Sequence, residues 1–261
     1  VGQEGIFGTV KKKEPMKKDK KMKLKYLEVI QTILKNGWEV VPLCYYKDFK
    51  REDRVIGLRH DIDDNMPVAR NMAYLECQLG VNSTYFLLTS HPYYKNGKLF
   101  ANFFHQLRHE VGIHYDILTI VTQLNYNVHK HLIAVLAQLA KMGIKVWGVS
   151  AHGSAMASKN NFKGWEYFYD YTEEDKPIVL MNQETGDKKT LVMGIHPLAE
   201  YGLLYDAIKL DKVNYISDSH GVLRINRDLK KTPNTEEDLI NFIETGEGKT
   251  MMLFHPQYWE M

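Results

Sequence analysis

Val55-Ile56-Gly57-Leu58-Arg59-His60-Asp61-Ile62-Asp63-Asp64-Asn65 begins as a short apolar run and ends in carboxylates. Such a run, bounded by polar residues, predicts a buried strand, with Asp61 and Asp63 where the strand passes into a loop. In α/β folds that end of a strand carries the chemistry. Two carboxylates one residue apart repel each other, and a strand end gives them little water, so they ask for a cation or for one shared proton. Local structure alone offers another reading, with Asp61 as a helix N-cap and Asp63 and Asp64 as first-turn acids complementing the helix dipole.

The flanking sequence sets the fold class. Upstream, Leu27, Ile30 and Leu34 recur at helical spacing from Leu24 and stop at Asn36-Gly37, a helix end signal. Downstream, Val68, Met72, Leu75 and Leu79 end at Gly80 and predict a second amphipathic helix. Then come a strand over 83–88, a helix over 99–107, a strand over 111–114, a helix over 128–142 closed by Gly143, and a strand over 145–149. Strands over 213–217 and 250–254 flank a helix over 235–244. Short apolar strands alternating with helices predict a parallel sheet or barrel wrapped by helices. Residues 160–195 are less regular and read as an inserted hairpin or lid.

At 261 residues the chain can bury the core of one large α/β domain, expected over residues 23–261. Residues 1–22 carry the lysine runs Lys11-Lys12-Lys13, Lys17-Lys18 and Lys20-Lys21 with little apolar content, and read as a solvated tail or linker. The net charge of +2 implies neither bulk nucleic-acid nor membrane binding. Cys44 and Cys77 have no CxxC spacing, which argues against a disulfide framework or a cysteine zinc cluster and fits a reducing compartment. No run approaches the ~18 apolar residues of a membrane span, and no N-terminal signal pattern is seen. A cytoplasmic location is the expectation, with Val1 leaving the native start open.

Histidines mark the ends of the apolar runs: His60, His91, His114, His152, His196, His220 and His255, with Asp116 and Asp218 beside two of them. A scattered distribution would not favour these positions so often, and imidazole with carboxylate suits zinc or a similar divalent metal. Two tempting motifs fail and a third is disfavoured. In His109-Glu110-Val111-Gly112-Ile113-His114 the second histidine is one residue too late for a zincin helix, and Gly112 interrupts it. Asn65 stands where an aspartyl-nucleophile phosphatase wants Thr or Val. A DxD glycosyltransferase predicts few histidines.

From about Val55 to Trp259 the chain resembles the polysaccharide deacetylase superfamily, the NodB-like metal-dependent hydrolases, in the divergent branch with an Arg-His-Asp-aliphatic-Asp first motif. The resemblance implies a distorted (β/α) barrel of about seven parallel strands. It implies Asp61 as catalytic base and Asp63 as metal ligand. His109 to His114 resembles the family's second motif, Gly-His-Glu-Ile-Gly-Asn-His, and makes His114 a metal ligand. Where the family has its next metal histidine this chain has Leu118, so His152, in Ser150-Ala151-His152-Gly153, is the expected replacement. Asp218 resembles the fourth-motif aspartate that braces the site, and Leu253-Phe254-His255 the closing motif whose histidine is the general acid. The third-motif arginine is missing, and Arg59 is the candidate for its charge role. Arg59, Tyr115 and Trp259, with Tyr258, are the expected substrate contacts, the aromatic rings as faces for a sugar.

The activity implied is metal-dependent removal of an N-acyl group, acetyl or formyl, from a sugar or glycan precursor in surface polysaccharide biosynthesis. Zinc or another divalent metal is the cofactor and a carbohydrate the partner. Three alternatives stay open: an impaired carbohydrate-binding homologue, for which Leu118 speaks; a hydrolase of another C–N bond; and the DxD glycosyltransferase.

Overall fold

The computed structural model describes residues 21–124, 126–154, 157–158, 164–168, 178–181, 188–191, 196–226 and 233–261. Its main sheet is built from β1 (Glu39–Val41), β2 (Val55–Ile62), β3 (Thr84–Leu88), β4 (Glu110–Tyr115) and β5 (Gly148–Ala151), then β8 (Tyr205–Asp206), β9 (Asn214–Ser217), β10 (Arg224–Ile225) and β11 (Thr250–Phe254). Strand order is β10-β9-β11-β2-β3-β4-β5-β8, with β1 also on β2. The seven strands from β9 to β8 in that order are parallel throughout, as a barrel of this class requires, and only β10 runs antiparallel. β1 pairs with the first half of one edge of β2, from Val55 to Gly57, and β3 takes over that edge from Arg59.

Every residue of β2 is buried, and alternation sorts its side chains. Ile56 and Leu58 pack outward under the helices, whereas Val55 joins an interior cluster with Phe86, Tyr205, Tyr215, Met251 and Leu253. Tyr205 and Tyr215 come from strands near opposite ends of the sheet order yet share that interior, so the sheet is curled. Arg59 and Asp61 continue the inward set above this apolar floor, and His60 belongs to the outward one. Arginine and aspartate on an inward strand row have no solvent to face, and only each other and their neighbours can satisfy them.

Outside the sheet lie α1 (Tyr26–Lys35), α3 (Met66–Gln78), α4 (Gly97–Gln106), α5 (Ile117–Thr122), α6 (Val128–Ala140) and α7 (Glu236–Thr245), whereas α2 (Leu43–Tyr46) puts Leu43 and Tyr46 into the interior cluster. Thr235 caps α7 in a reciprocal box with Asp238. Helix α3 starts at Met66 with Asn65 as its N-cap, and Asp61 lies inside β2, so the capping alternative for the acidic stretch is excluded.

The sequence periodicity misplaces two buried faces. In α1, Tyr26, Val29, Ile30 and Ile33 face the core and Leu34 is 38% exposed, because Tyr26 reaches inward to hydrogen-bond Glu76. In α3 the buried face carries Glu76, a charged residue that hydropathy assigns to solvent, while Leu75 and Leu79 are half-buried. The fifth strand starts at Gly148, later than the predicted 145, and Lys145 instead packs its ammonium on the Trp147 ring, 3.4 Å from the centroid. At the tail boundary, Met22 is packed, 7% exposed with its N–H on Tyr258 O, and residues 1–20 lie outside the described residues. Within the expected insertion, β6 (Ile178–Met181) and β7 (Lys188–Leu191) form an antiparallel pair apart from the main sheet, and its other segments lie mostly outside the described residues. No helix of the described residues is long and apolar enough to cross a membrane.

Gly148 is a close-approach glycine. A Cβ there would stand 2.0 Å from the Tyr205 ring, which fills the interior across β5. Gly148→Ala is therefore expected to destabilise the fold by about 1–3 kcal/mol through overpacking, measured as a lower urea midpoint at unchanged slope. Unchanged stability would mean that Tyr205 can leave this position freely.

Candidate active site and metal centre

Asp63 leaves the end of β2 and its carboxylate becomes the centre of the cluster. His114 Nε2 lies 3.1 Å from Asp63 Oδ1, and His152 Nε2 lies 3.7 Å from the same oxygen. His255 Nε2 lies 3.8 Å from Oδ2. The ligand atoms of Asp63, His114 and His152 all fall within 4.8 Å of one another. Register explains the convergence. His114 pairs with Ser150 across β4 and β5, and His152, two residues further on, returns to the same face of the chain just past the strand end.

The far side of each ring fixes its tautomer. His114 Nδ1 donates to Ser150 O at 2.9 Å, because a carbonyl can only accept. His152 Nδ1 donates to Asp116 Oδ2 at 3.2 Å, and His255 Nδ1 to Asp218 Oδ1 at 2.6 Å. In the neutral rings the bare Nε2 lone pairs therefore face a carboxylate, and a proton or a cation must lie between them. Two imidazoles, one carboxylate and braced Nδ1 atoms make a donor set that fits a zinc-like divalent cation. Burial alone would raise the Asp63 carboxyl, but the hydrogen bond with His114 and the charges of His114, His255 and His152 hold it well below the usual range.

Asp61 stands beside this centre, with Oδ2 3.8 Å from His114 Nε2. Arg59 Nη2 donates to Asp61 Oδ2 at 2.7 Å and Ser150 Oγ donates to the same oxygen at 3.0 Å. Its other oxygen, Oδ1, is buried with no hydrogen-bond partner among the described residues. Burial pushes this carboxyl up, but the Arg59 guanidinium, with His114 and His255, brings it below its ordinary value, so it is ionised at neutral pH.

Asp218 grips the last member. It accepts the His255 backbone N–H at 2.9 Å and the Trp259 indole N–H at 2.7 Å as well as the His255 ring. Burial would lower the His255 imidazole, but the Asp218 charge and hydrogen bond, with Asp63 and Asp61, raise it to about 9. His255 is thus protonated at neutral pH. Trp259→Phe removes one of the donors that hold Asp218, and the expected result is a loss of about 1–3 kcal/mol of stability with some loss of any activity that depends on His255. No change in either would show that the two remaining bonds suffice.

Asp61, Asp63, His114, His152, Asp218 and His255 are brought together; the substrate contacts expected from the sequence are not. Tyr115 is 0% and Trp259 1% exposed, so neither has a free ring face for a sugar, and Tyr258 is buried as well. Tyr115 OH donates to Asp206, Trp259 serves Asp218, and buried Arg59 serves Asp61 instead of a ligand. Aromatic composition near a motif cannot tell a stacking platform from core, since both bury large rings. Of the other strand-end histidines, His60 points outward to Glu76, His91 caps a short turn, His196 stacks on Tyr167, and His220 is exposed. Leu118 is fully buried in the core on α5, in place of an imidazole. Ser150 was missed as a site residue, since a serine inside a strand gives no distinguishing sequence signal; Asp116, noted beside His114 in the sequence but given no role there, holds the His152 ring.

A cleft of about 720 Å³ opens next to the centre, lined by Asp64, Asn65, Pro67, His91, Tyr93 and Gln257 among others. Asp64 and Asn65 follow Asp63 directly, and Gln257 follows His255 by two residues. Tyr93 fixes the wall, donating to Ile62 O at 2.6 Å and accepting from Leu88 N–H at 2.6 Å.

A curled parallel α/β sheet with an Asp-His-His centre at its strand C-termini is the class of protein that fold and site define. No protein-family model matches the chain, and no curated protein does. Among solved structures the fold is similar to the catalytic domain of peptidoglycan N-acetylglucosamine deacetylase from Eubacterium rectale ATCC 33656. That likeness has 18% sequence identity and a TM-score of 0.40, and covers 77% of this chain and 76% of that one. At those values it carries no argument about chemistry, which has to come from the site's own geometry.

Proposed function

We propose that this protein is a metal-dependent hydrolase that removes an N-acyl group, acetyl or formyl, from a sugar or glycan precursor. The observation that carries the reading is the meeting of Asp63, His114 and His152 within ligand distance, beside an ionised Asp61 and a protonated His255. A divalent cation bound there supplies Lewis acidity, polarising a carbonyl and acidifying water.

The chain's own residues divide the proton work. Asp61, ionised and with Oδ1 free of hydrogen bonds to the described residues, accepts the proton of the attacking water. Arg59 and Ser150 hold its other oxygen, so the base is oriented at no cost during the reaction. His255 carries a proton on Nε2 toward the centre and gives it to the departing nitrogen, which needs an acid because an amide anion is too basic to leave. Asp218 holds the opposite nitrogen and stabilises the imidazolium. The neighbouring cleft is open, and Asp64, Asn65, His91 and Gln257 put hydrogen-bonding groups for a hydroxyl-bearing substrate beside the apolar surface of Met66 and Pro67.

Metal analysis after dialysis, followed by assay of acetate and formate release from N-acetyl and N-formyl amino sugars with zinc or cobalt restored, tests the reading. Retained metal and metal-dependent release are the expected results. Bound metal without release from any such sugar points to another C–N bond; no metal at all, with no release, removes the hydrolase.

A further inference from the structure

Helix α5 begins at Ile117, three residues after His114, and its N-cap is Asp116. The carboxylate has two tasks. It accepts Thr119 N–H at 3.2 Å and Thr119 Oγ–H at 2.7 Å, which caps the helix, and it accepts the His152 Nδ1 proton at 3.2 Å. Ser154 Oγ lies 3.5 Å from its other oxygen. On the main-chain side, His152 N–H donates to Tyr115 O at 2.8 Å, so the loop after β5 is tied to the end of β4 by its backbone and to Asp116 by its side chains. His114 is different: its Nδ1 partner is a neutral carbonyl.

We infer that Asp116 is the positioning residue that makes His152 a metal ligand. The inference rests on the metal centre proposed above. Helix α5 offers buried Leu118 and no imidazole of its own, but its N-cap reaches across and turns a histidine from the next strand end. Capping fixes the Asp116 rotamer, and the fixed carboxylate in turn fixes both the tautomer and the rotation of the His152 ring, which packs edge-on to His114 at 5.1 Å between centroids. Nε2 is thereby presented to Asp63. Without that partner a half-buried imidazole has two tautomers and several rotamers, most of them with no nitrogen at the centre. An ionised partner on Nδ1 also makes Nε2 a stronger donor, as carboxylate-backed histidine ligands generally are.

The test is a double-mutant cycle on zinc affinity, read by competition with a chromogenic chelator on the full chain, with no assay of turnover. Asp116→Ser keeps a good N-cap, so apo stability should stay close to that of the unmutated chain, but its hydroxyl is too short to reach His152. Zinc affinity is expected to fall about 10–100-fold. Asp116→Asn, whose amide oxygen can still accept from Nδ1, should lose less and guards against a folding failure of the serine variant. His152→Ala should weaken zinc at least as much as Asp116→Ser, and Asp116→Ser/His152→Ala no more than His152→Ala alone. Additive losses, or a loss in His152→Ala with none in Asp116→Ser, overturn the positioning role. Failure of the unmutated chain to bind zinc is a different result, and it removes the metal centre itself.

Discussion

Asp61→Asn is expected to lower kcat/KM for N-acyl sugar hydrolysis by about 10²–10⁴-fold, the usual contribution of a positioned general base. Asparagine keeps the shape, and its amide oxygen can take the place of Oδ2, accepting from Arg59 and Ser150 as the carboxylate does. What it loses is basicity. Zinc affinity should move little, because the ligand atoms belong to Asp63, His114 and His152. Removing the Asp61 charge leaves the buried Arg59 guanidinium without its counter-charge, so a stability loss is also expected and the assay belongs below the variant's melting temperature. Turnover equal to that of the unmutated enzyme, with metal bound, would assign the base to another group.

Glu76→Leu is the second large effect, and it lies on the opposite face of the strand. Glu76 is buried among α1, β2, α3 and β3. His60 Nε2 donates to it at 2.8 Å, Ser83 Oγ at 2.5 Å, and Tyr26 OH as well, while His109 Nδ1 stands 3.6 Å away. His109 Nε2 donates to Ala73 O, and its Nδ1 accepts Ser83 N–H, so His109 is neutral and its imidazole lies below its ordinary value because of burial. Leucine at 76 would leave His60, Tyr26 and Ser83 without their acceptor, at a cost of about 3–5 kcal/mol. At this chain length that corresponds to a melting temperature lower by roughly 6–20 °C. A loss under about 1 kcal/mol would mean that these groups find other partners.

The same carboxylate predicts a pH window. Burial would raise Glu76, but the His60 charge and hydrogen bond, with the Ser83 hydroxyl, lower it from 4.5 to about 2. A depressed acid stabilises the folded state above its unfolded value, and that stability fades as pH falls from 4.5 through about 2. Urea midpoints of the unmutated chain and of Glu76→Leu should therefore converge over that window, and a constant gap would assign the destabilisation to packing alone.

His60 and Asp61 show where sequence reading stops. Both stand in the decisive stretch, and both are chemically suited to a site. Strand alternation sends Asp61 into the curled sheet and His60 out to Glu76, a parity visible only once one knows which face is interior. Glu76 itself, on a predicted amphipathic helix, carried no signal of burial, because hydropathy assigns a lone glutamate to solvent. Tyr115 and Trp259 erred in the reverse direction: large rings near motifs are equally good as core.

The sequence alone determined the alternation of strands and helices, the place of Asp61 and Asp63 at a strand end, and the short set of imidazoles and carboxylates from which a centre could be drawn. These are properties of spacing along the chain, set by backbone periods of 2 and 3.6 residues. Tertiary structure alone decided which of those groups meet. His152 reaches Asp63 because β4 and β5 pair with His114 opposite Ser150 and because the sheet curls, and Asp116 serves it only because α5 starts beneath that loop. Pairing register and curvature arise from contacts between residues distant in the chain, and no local period encodes them.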